Sequence, residues 1–187
     1  VNSVKDLAAL IKANPGKYNF ASIGNGSLSH LAMEAIAIKA GTKLVHLPYP
    51  SSPQAMTAII RNDAQMGCLP AISVVPLAKD GKVKIIAVST AKRSPYLPDV
   101  PTLKESGIDV DADAWMGLIA PGGMPKAMVD KINKDVVASI MQPDVKEKLG
   151  KTLMEPVGSS PEAFRARIDS EITRWGPVIK AANVKVN

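Results

Sequence analysis

Apolar residues recur along the chain in two alternating rhythms. Behind Ser3, the positions Val4, Leu7, Ala8 and Ile11 keep helical spacing, and Asp6 follows the serine by three residues in a relative of the capping box. Asn14-Pro15-Gly16 ends that run. Tyr18 to Ile23 reads as a short strand, after which the loop "GNGS" gives way to Leu28, Leu31, Ala32, Ala35 and Ile36, again at helical spacing, until Gly41. The alternation repeats: a strand over Leu44 to Leu47, Ser52 as N-cap with Pro53 in the first turn, and a helix face of Ala55, Met56, Ile59 and Ile60. Ala64 to Cys68 reads as a further strand and Ile72 to Ala78 as a helix in which Pro76 demands a start or a kink. "VKIIAV", Val83 to Val88, is the clearest pattern for a buried strand. Strands alternating with helices predict an α/β fold on a largely parallel sheet covered on both faces.

The rhythm changes after Lys92. "KRSPYLPDVPTLKESG" carries three prolines and reads as an irregular surface connection. Beyond it the pattern predicts a strand at Ala114 to Ala120 and a long helix opening at Pro125, with Met128, Val129, Ile132, Val136 and Ile140 on one face. A last helix, introduced by "SSPE" at Ser159 to Glu162, presents Phe164, Ile168, Ile172, Trp175 and Ile179 as its expected buried stripe. Amphipathic helices draw most of their stability from a partner surface. One strand is little for these two to cover, so part of the fold is expected to lie outside this chain.

Composition narrows the function classes. The 187 residues are 46% hydrophobic with a mean hydropathy of +0.06, enough for a packed core, and no apolar run approaches the ~18 residues of a membrane span. The first residues show neither a basic start nor a long apolar segment, so no export signal is visible in them. Cys68 is the only cysteine, which rules out an intrachain disulfide and a cysteine-rich metal site. The net charge of +6 is spread rather than clustered, and aromatics make up 4% of residues, which argues against nucleic acid and leaves a surface suited to anionic small molecules.

The "GNGS" loop is where chemistry concentrates. It lacks G-x-x-x-x-G-K-[ST], and Ser29 stands where a third fingerprint glycine belongs, so neither a P-loop nor a dinucleotide site is indicated. No G-x-S-x-G elbow surrounds Ser27. Ser27 with His30 is a conceivable nucleophile and base for a small hydrolase or transferase, but no third group to orient the histidine is identifiable. The spacing fits a helix start better, with Ser27 as N-cap. A glycine-rich step from strand to helix leaves backbone N–H groups open at the positive end of the helix dipole, which is an anion seat. Ser22, Asn25, Ser27 and Ser29 can add donors. "PYPSSP", Pro48 to Pro53, occupies the corresponding step of the next unit, so Tyr49 and Ser51 are expected at the same crevice. His46 falls inside a strand and reads as a satisfied core histidine; two histidines so spaced give no metal site. Trp115 and Trp175 are expected in the core.

Four motifs in order, "ASIGNGSLSHLAME", "HLPYPSSPQAM", "GKVKIIAVSTAKRSPYLPDVPTLKESG" and "AWMGLIAPGGMPKAMVDKIN", resemble the extracytoplasmic solute receptors of tripartite tricarboxylate transporters, the Bug family. The resemblance implies a non-enzymatic receptor with a type II periplasmic binding-protein fold. Two α/β lobes would close on a small dicarboxylate, tricarboxylate or aromatic acid, held by backbone amides, hydroxyls and water without a charged partner or cofactor, and delivered to a membrane permease. Carried over residue by residue, the ligand-binding set is Ser22, Gly24, Asn25, Gly26, Ser27, His30, Tyr49 and Ser51. The chain departs from the family pattern at Pro50-Ser51 and at Arg61-Asn62-Asp63. On this resemblance residues 1–113 form the second lobe with its glycine-rich ligand loop, and residues 114–187 the C-terminal portion of a first, incomplete lobe. A truncated, periplasmic product is expected, with apolar surface that favours self-association.

Overall fold

In the computed structural model, which describes residues 1–185, a three-stranded parallel sheet of order β2-β1-β3 is built from β1 (Asn19–Ser22), β2 (Val45–Pro48) and β3 (Met66–Gly67). The helices between them are α1 (Val4–Ala13), α2 (Leu28–Lys39), α3 (Ser52–Ile60) and α4 (Ala71–Lys79). Ser3 caps α1, accepting a hydrogen bond from the Asp6 N–H, and Asn14 closes it. Strand alternation sorts side chains to two faces. On one face Phe20 and Met66 meet Ile11 of α1 and Met33 of α2; on the other Ala21 meets Ala55 of α3 and Ala64. The parallel sheet is therefore covered on both sides, as the alternation predicts.

Several expectations are corrected. Ser51, not Ser52, is the N-cap of α3, since Ser51 has extended backbone and Ser52 is already helical. The run Val83 to Val88 forms no strand: only Val88 bridges, to Thr102, with the Leu103 N–H donating to the Val88 carbonyl. Apolar patterning supplies faces, but a strand exists only where a neighbour completes its ladder. The connection at Lys92 to Gly107 is tied down internally. Thr102 and Glu105 cap one another reciprocally, at 3.0 and 2.7 Å, and the Arg93 guanidinium donates to both Glu105 oxygens and to the Pro98 carbonyl.

The chain divides into two compact units, Val1–Ala114 with the segment from Pro177 onward, and Trp115–Gly176. The second unit contains α5 (Lys126–Ile140), α6 (Pro143–Lys151) and the part of α7 (Pro161–Ala181) that ends at Gly176. The helix α6 was not anticipated: "PDVKEKLGK" has few apolar residues to mark a period, although Pro143 sits in its first turn. The strand expected at Ala114 to Ala120 is absent, and Met116, Leu118 and Ile119 are 81%, 68% and 87% exposed.

The buried line of α7 also differs. At about 100° per residue, Glu171 lies nearer the Phe164 direction than Ile172 does. Glu171 is buried and Ile172 exposed. The carboxylate tolerates that place because it accepts from Trp175 Nε1 at 2.7 Å and lies 3.1 and 3.3 Å from the Arg167 and Arg174 guanidinium groups. Trp175 is buried as expected, whereas Trp115 is 40% exposed and meets the Phe164 ring edge to face at 5.3 Å.

Candidate functional site

The loop between β1 and α2 is folded by its own polar atoms. Gly24 and Gly26 have φ of +119° and +72°, conformations that an L side chain rarely adopts. The Ser27 hydroxyl donates to the Gly24 carbonyl at 2.7 Å. Because a hydroxyl has one proton and a carbonyl only accepts, the 2.9 Å contact between Ser27 and Ser29 has Ser29 as donor. Ser29 Oγ in turn accepts from the Ile23 N–H at 2.9 Å, and Ser27 Oγ caps the helix by accepting from the His30 N–H. The Gly24 N–H donates to Ser22 Oγ at 3.2 Å, and the Gly26 N–H donates to His30 Nδ1 at 3.1 Å.

Three N–H groups are left over. Among the described residues, those of Asn25, Leu28 and Ser29 meet no acceptor in the molecule. They belong to one turn at the N-terminus of a 12-residue helix, where the dipole is positive and the carboxamide of Asn25 is exposed beside them. The hydroxyls of Ser22 and Ser27, in contrast, point into the loop's own bonding.

Beneath this turn lies a stack of rings. Phe20 and His46 are register partners on adjacent strands, so their side chains share a face; their centroids are 4.8 Å apart. The His30 ring lies over His46 at 3.7 Å. Ser22, two residues on from Phe20 and on the same face, places its fully buried hydroxyl 2.6 Å from His46 Nε2. Burial lowers the pKa of His30 and, with the nearby His30 ring as a second cause, pushes His46 down to about 4. Burial raises the Glu34 carboxyl, whose Oε1 is 3.7 Å from His30 Nε2.

The second loop stands at the end of the neighbouring strand. The Tyr49 N–H donates to the Ser22 carbonyl at 3.0 Å and extends the ladder, while its half-buried ring packs with the Ala21, Ala55 and Ala64 cluster. Ser51 turns its hydroxyl to Gln54 Oε1 at 3.2 Å, leaving the Ser52 and Gln54 N–H groups of α3 without acceptors among the described residues. Two helix N-termini thus open at the carboxyl ends of adjacent parallel strands, the usual ligand position in open α/β sheets.

A serine hydrolase is poorly served by this geometry. Ser27 is bonded to the Gly24 carbonyl and to the His30 backbone, and His30 Nδ1 is occupied by Gly26. The serine and histidine side chains that do meet are Ser22 and His46, and Ser22 has no exposed surface from which to reach a substrate. Among the described residues no group of His, Cys, Asp and Glu is arranged to hold a metal ion.

His46 was not anticipated in the site, and the open amides expected at this step fall on Asn25, Leu28 and Ser29 while those of Gly24 and Gly26 are bonded. His46 needed the register of β1 against β2, and a backbone amide has no signature in the residue that carries it. The sequence model of the tripartite tricarboxylate transporter family receptor matches residues 1–184. The chain belongs to that family. It is 33% identical to a UPF0065 protein of Pseudomonas sp. (strain P51) over 98% of this chain and 56% of that protein. It is 28% identical to BugT of Bordetella pertussis over 100% of this chain and 57% of the relative. The fold matches the periplasmic binding protein BugD with a TM-score of 0.76 at 31% identity, covering 99% of this chain and 63% of that structure. It matches an R. palustris protein solved with adipate with a TM-score of 0.82 at 28% identity, covering 98% and 62%. MatC of Rhodopseudomonas palustris, with bound malate, matches with a TM-score of 0.76 at 27% identity, covering 95% and 62%. The chain therefore spans little more than half the length of these curated relatives. Among its described residues no helix is long and apolar enough to cross a membrane.

Proposed function

We propose that this family member serves an extracytoplasmic receptor that captures a small organic carboxylate and hands it to the membrane permease of a tripartite tricarboxylate transporter. The open amides of Asn25, Leu28 and Ser29, gathered where Gly24 and Gly26 turn the chain into α2, carry this reading. A carboxylate offers two acceptor oxygens to such a turn. Hydrogen bonds to a charged group contribute about 1.5–3 kcal/mol each, more than the ~0.3–1 kcal/mol of the helix dipole alone, so the fixed donors set the specificity. The relatives solved with adipate and malate support the ligand class.

In this proposal residues 1–113 are the second lobe and residues 114–187, whose last two lie outside the described residues, are part of the other lobe. Gly24, Asn25 and Gly26 line the ligand, Ser22 and Ser27 hold the loop that presents it, and Tyr49 and Ser51 shape the adjoining helix start. The exposed Met116, Leu118 and Ile119 are a face for self-association. Calorimetric titration with malate, adipate and citrate tests the reading. Saturable binding that competes between acids is expected, and heats that vanish with every acid would refute it.

A further inference from the structure

The ring of His30 faces away from the three open amides in its bonding. Its Nδ1 accepts the Gly26 N–H at 3.1 Å, and its Nε2 lies 3.7 Å from the Glu34 carboxylate one turn further along α2. An imidazole nitrogen that accepts an N–H carries no proton of its own, so the proton sits on Nε2. The ring is 7% exposed and stacked at 3.7 Å on His46, which is fixed in turn by Ser22 Oγ at 2.6 Å. Gly26 is the residue whose left-handed φ of +72° turns the loop into the helix.

We infer that His30 is a positioning residue and not a ligand contact: its neutral Nδ1 holds Gly26 so that the amides of Asn25, Leu28 and Ser29 converge, and a proton taken up there releases the loop. This rests on the carboxylate-receptor reading only for what the loop binds. A proton on Nδ1 would confront the Gly26 N–H with a second donor. It would also place a cation against the stacked His46 ring.

Among the described residues, these groups meet the pair. From α2 comes Glu34, from β1 the apolar Phe20 and the hydroxyl of Ser22, and from β2 His46 itself. The neighbouring β3 brings Met66 and Gly67, neither ionisable. Glu34 is the carboxylate of this set among the described residues, 3.7 Å from Nε2 rather than at Nδ1, and burial raises its pKa. The lowered pKa values of both rings agree with a pair built to stay neutral.

The test compares His30→Asn with His30→Ala in the full 187-residue chain. Asparagine can set Oδ1 where Nδ1 stood and still accept from Gly26, but it does not titrate; alanine removes the acceptor. Malate and adipate affinities are measured by calorimetry at pH 7.5 and 5.5, and Gly26 amide exchange and the His30 ring nitrogens are followed by NMR. The wild type should bind more weakly at the lower pH, by less than about tenfold beyond the loss that protonation of the acid itself brings, because the His30 pKa lies below the ordinary ~6.5. His30→Asn should show only the loss due to the acid, and His30→Ala should bind weakly at both. In the free protein at pH 7.5, the ring should be the Nε2–H tautomer and Gly26 protected in the wild type and in His30→Asn alone. A ring protonated at Nδ1, or a Gly26 amide equally protected in His30→Ala, overturns the inference even if no acid binds. Binding lost in His30→Asn with Gly26 still protected would make His30 a ligand contact and overturn it too.

Discussion

Ser22 Oγ lies 2.6 Å from His46 Nε2, joining the last residue of β1 to the middle of β2 directly beneath the glycine turn. The same hydroxyl accepts the Gly24 N–H at 3.2 Å. One buried atom therefore couples strand register to loop shape. Ser22→Ala strands a buried imidazole nitrogen and an amide, at a cost of about 1–3 kcal/mol in stability. Urea unfolding should show a lower midpoint with an unchanged slope, and an unchanged midpoint would mean that the hydroxyl holds nothing.

Gly26→Ala tests the turn itself. A Cβ at φ +72° is strained by about 1–2 kcal/mol. Because the strain falls on the residue that leads into α2, carboxylate affinity should drop together with the melting temperature. Gly41→Ala, at φ +65° beyond the far end of the same helix, should lower stability alike and leave affinity intact. Equal loss of affinity in both variants would detach binding from the loop.

Stability should fall with acid in a defined window. Both histidines have folded pKa values below the ordinary ~6.5, so the unfolded chain binds more protons than the folded one as pH drops from there. Their contribution is complete above about pH 6.5 and is lost progressively towards the folded value of His46, about 4. Glu34 works in the opposite direction, because its raised pKa makes the folded chain the better proton acceptor. Glu34→Gln should therefore steepen the acid loss of stability, and His46→Gln, which keeps a polar partner for Ser22, should flatten it. Thermal melts from pH 7.5 to 4.5 read both slopes.

In the second unit, Glu171→Ala removes the partner of Trp175 Nε1 and the charge between Arg167 and Arg174. A loss of about 1–3 kcal/mol follows for the unsatisfied indole N–H. Ile172→Ala, one residue on and exposed, should cost far less. If Ile172→Ala proved the more damaging, the hydrophobic reading of the helix would be right and the observed burial line wrong.

The first unit was legible in the sequence where signals are local. Ser3 capping α1, Asn14 closing it, and Gly24 and Gly26 opening α2 behind β1 each follow from the chemistry of one or two residues. Patterns that need a partner misled. Val83 to Val88 has the composition of a strand but bridges only at Val88, and the residues expected to form a strand at Ala114 to Ala120 have no neighbour among the described residues to pair with. In α7 hydrophobicity chose Ile172, whereas helix geometry chose Glu171 and two arginines with a tryptophan made that choice tolerable. At the candidate site the loop was visible, but the direction of its hydroxyl protons was not. For Ser27 that direction is set by the Gly24 carbonyl, and His30 Nδ1 is taken by the Gly26 N–H, which on the proposal above makes both side chains supports of the loop.

The central claim is that the turn from Gly24 to Ser29 seats a carboxylate. It is tested most directly by titrating isotopically labelled chain with malate and adipate and following the backbone amides. The account predicts saturable shifts largest at Asn25, Leu28 and Ser29, the amides with no acceptor of their own. Saturable shifts confined to another surface, or none at these three amides at any concentration of acid, would contradict it.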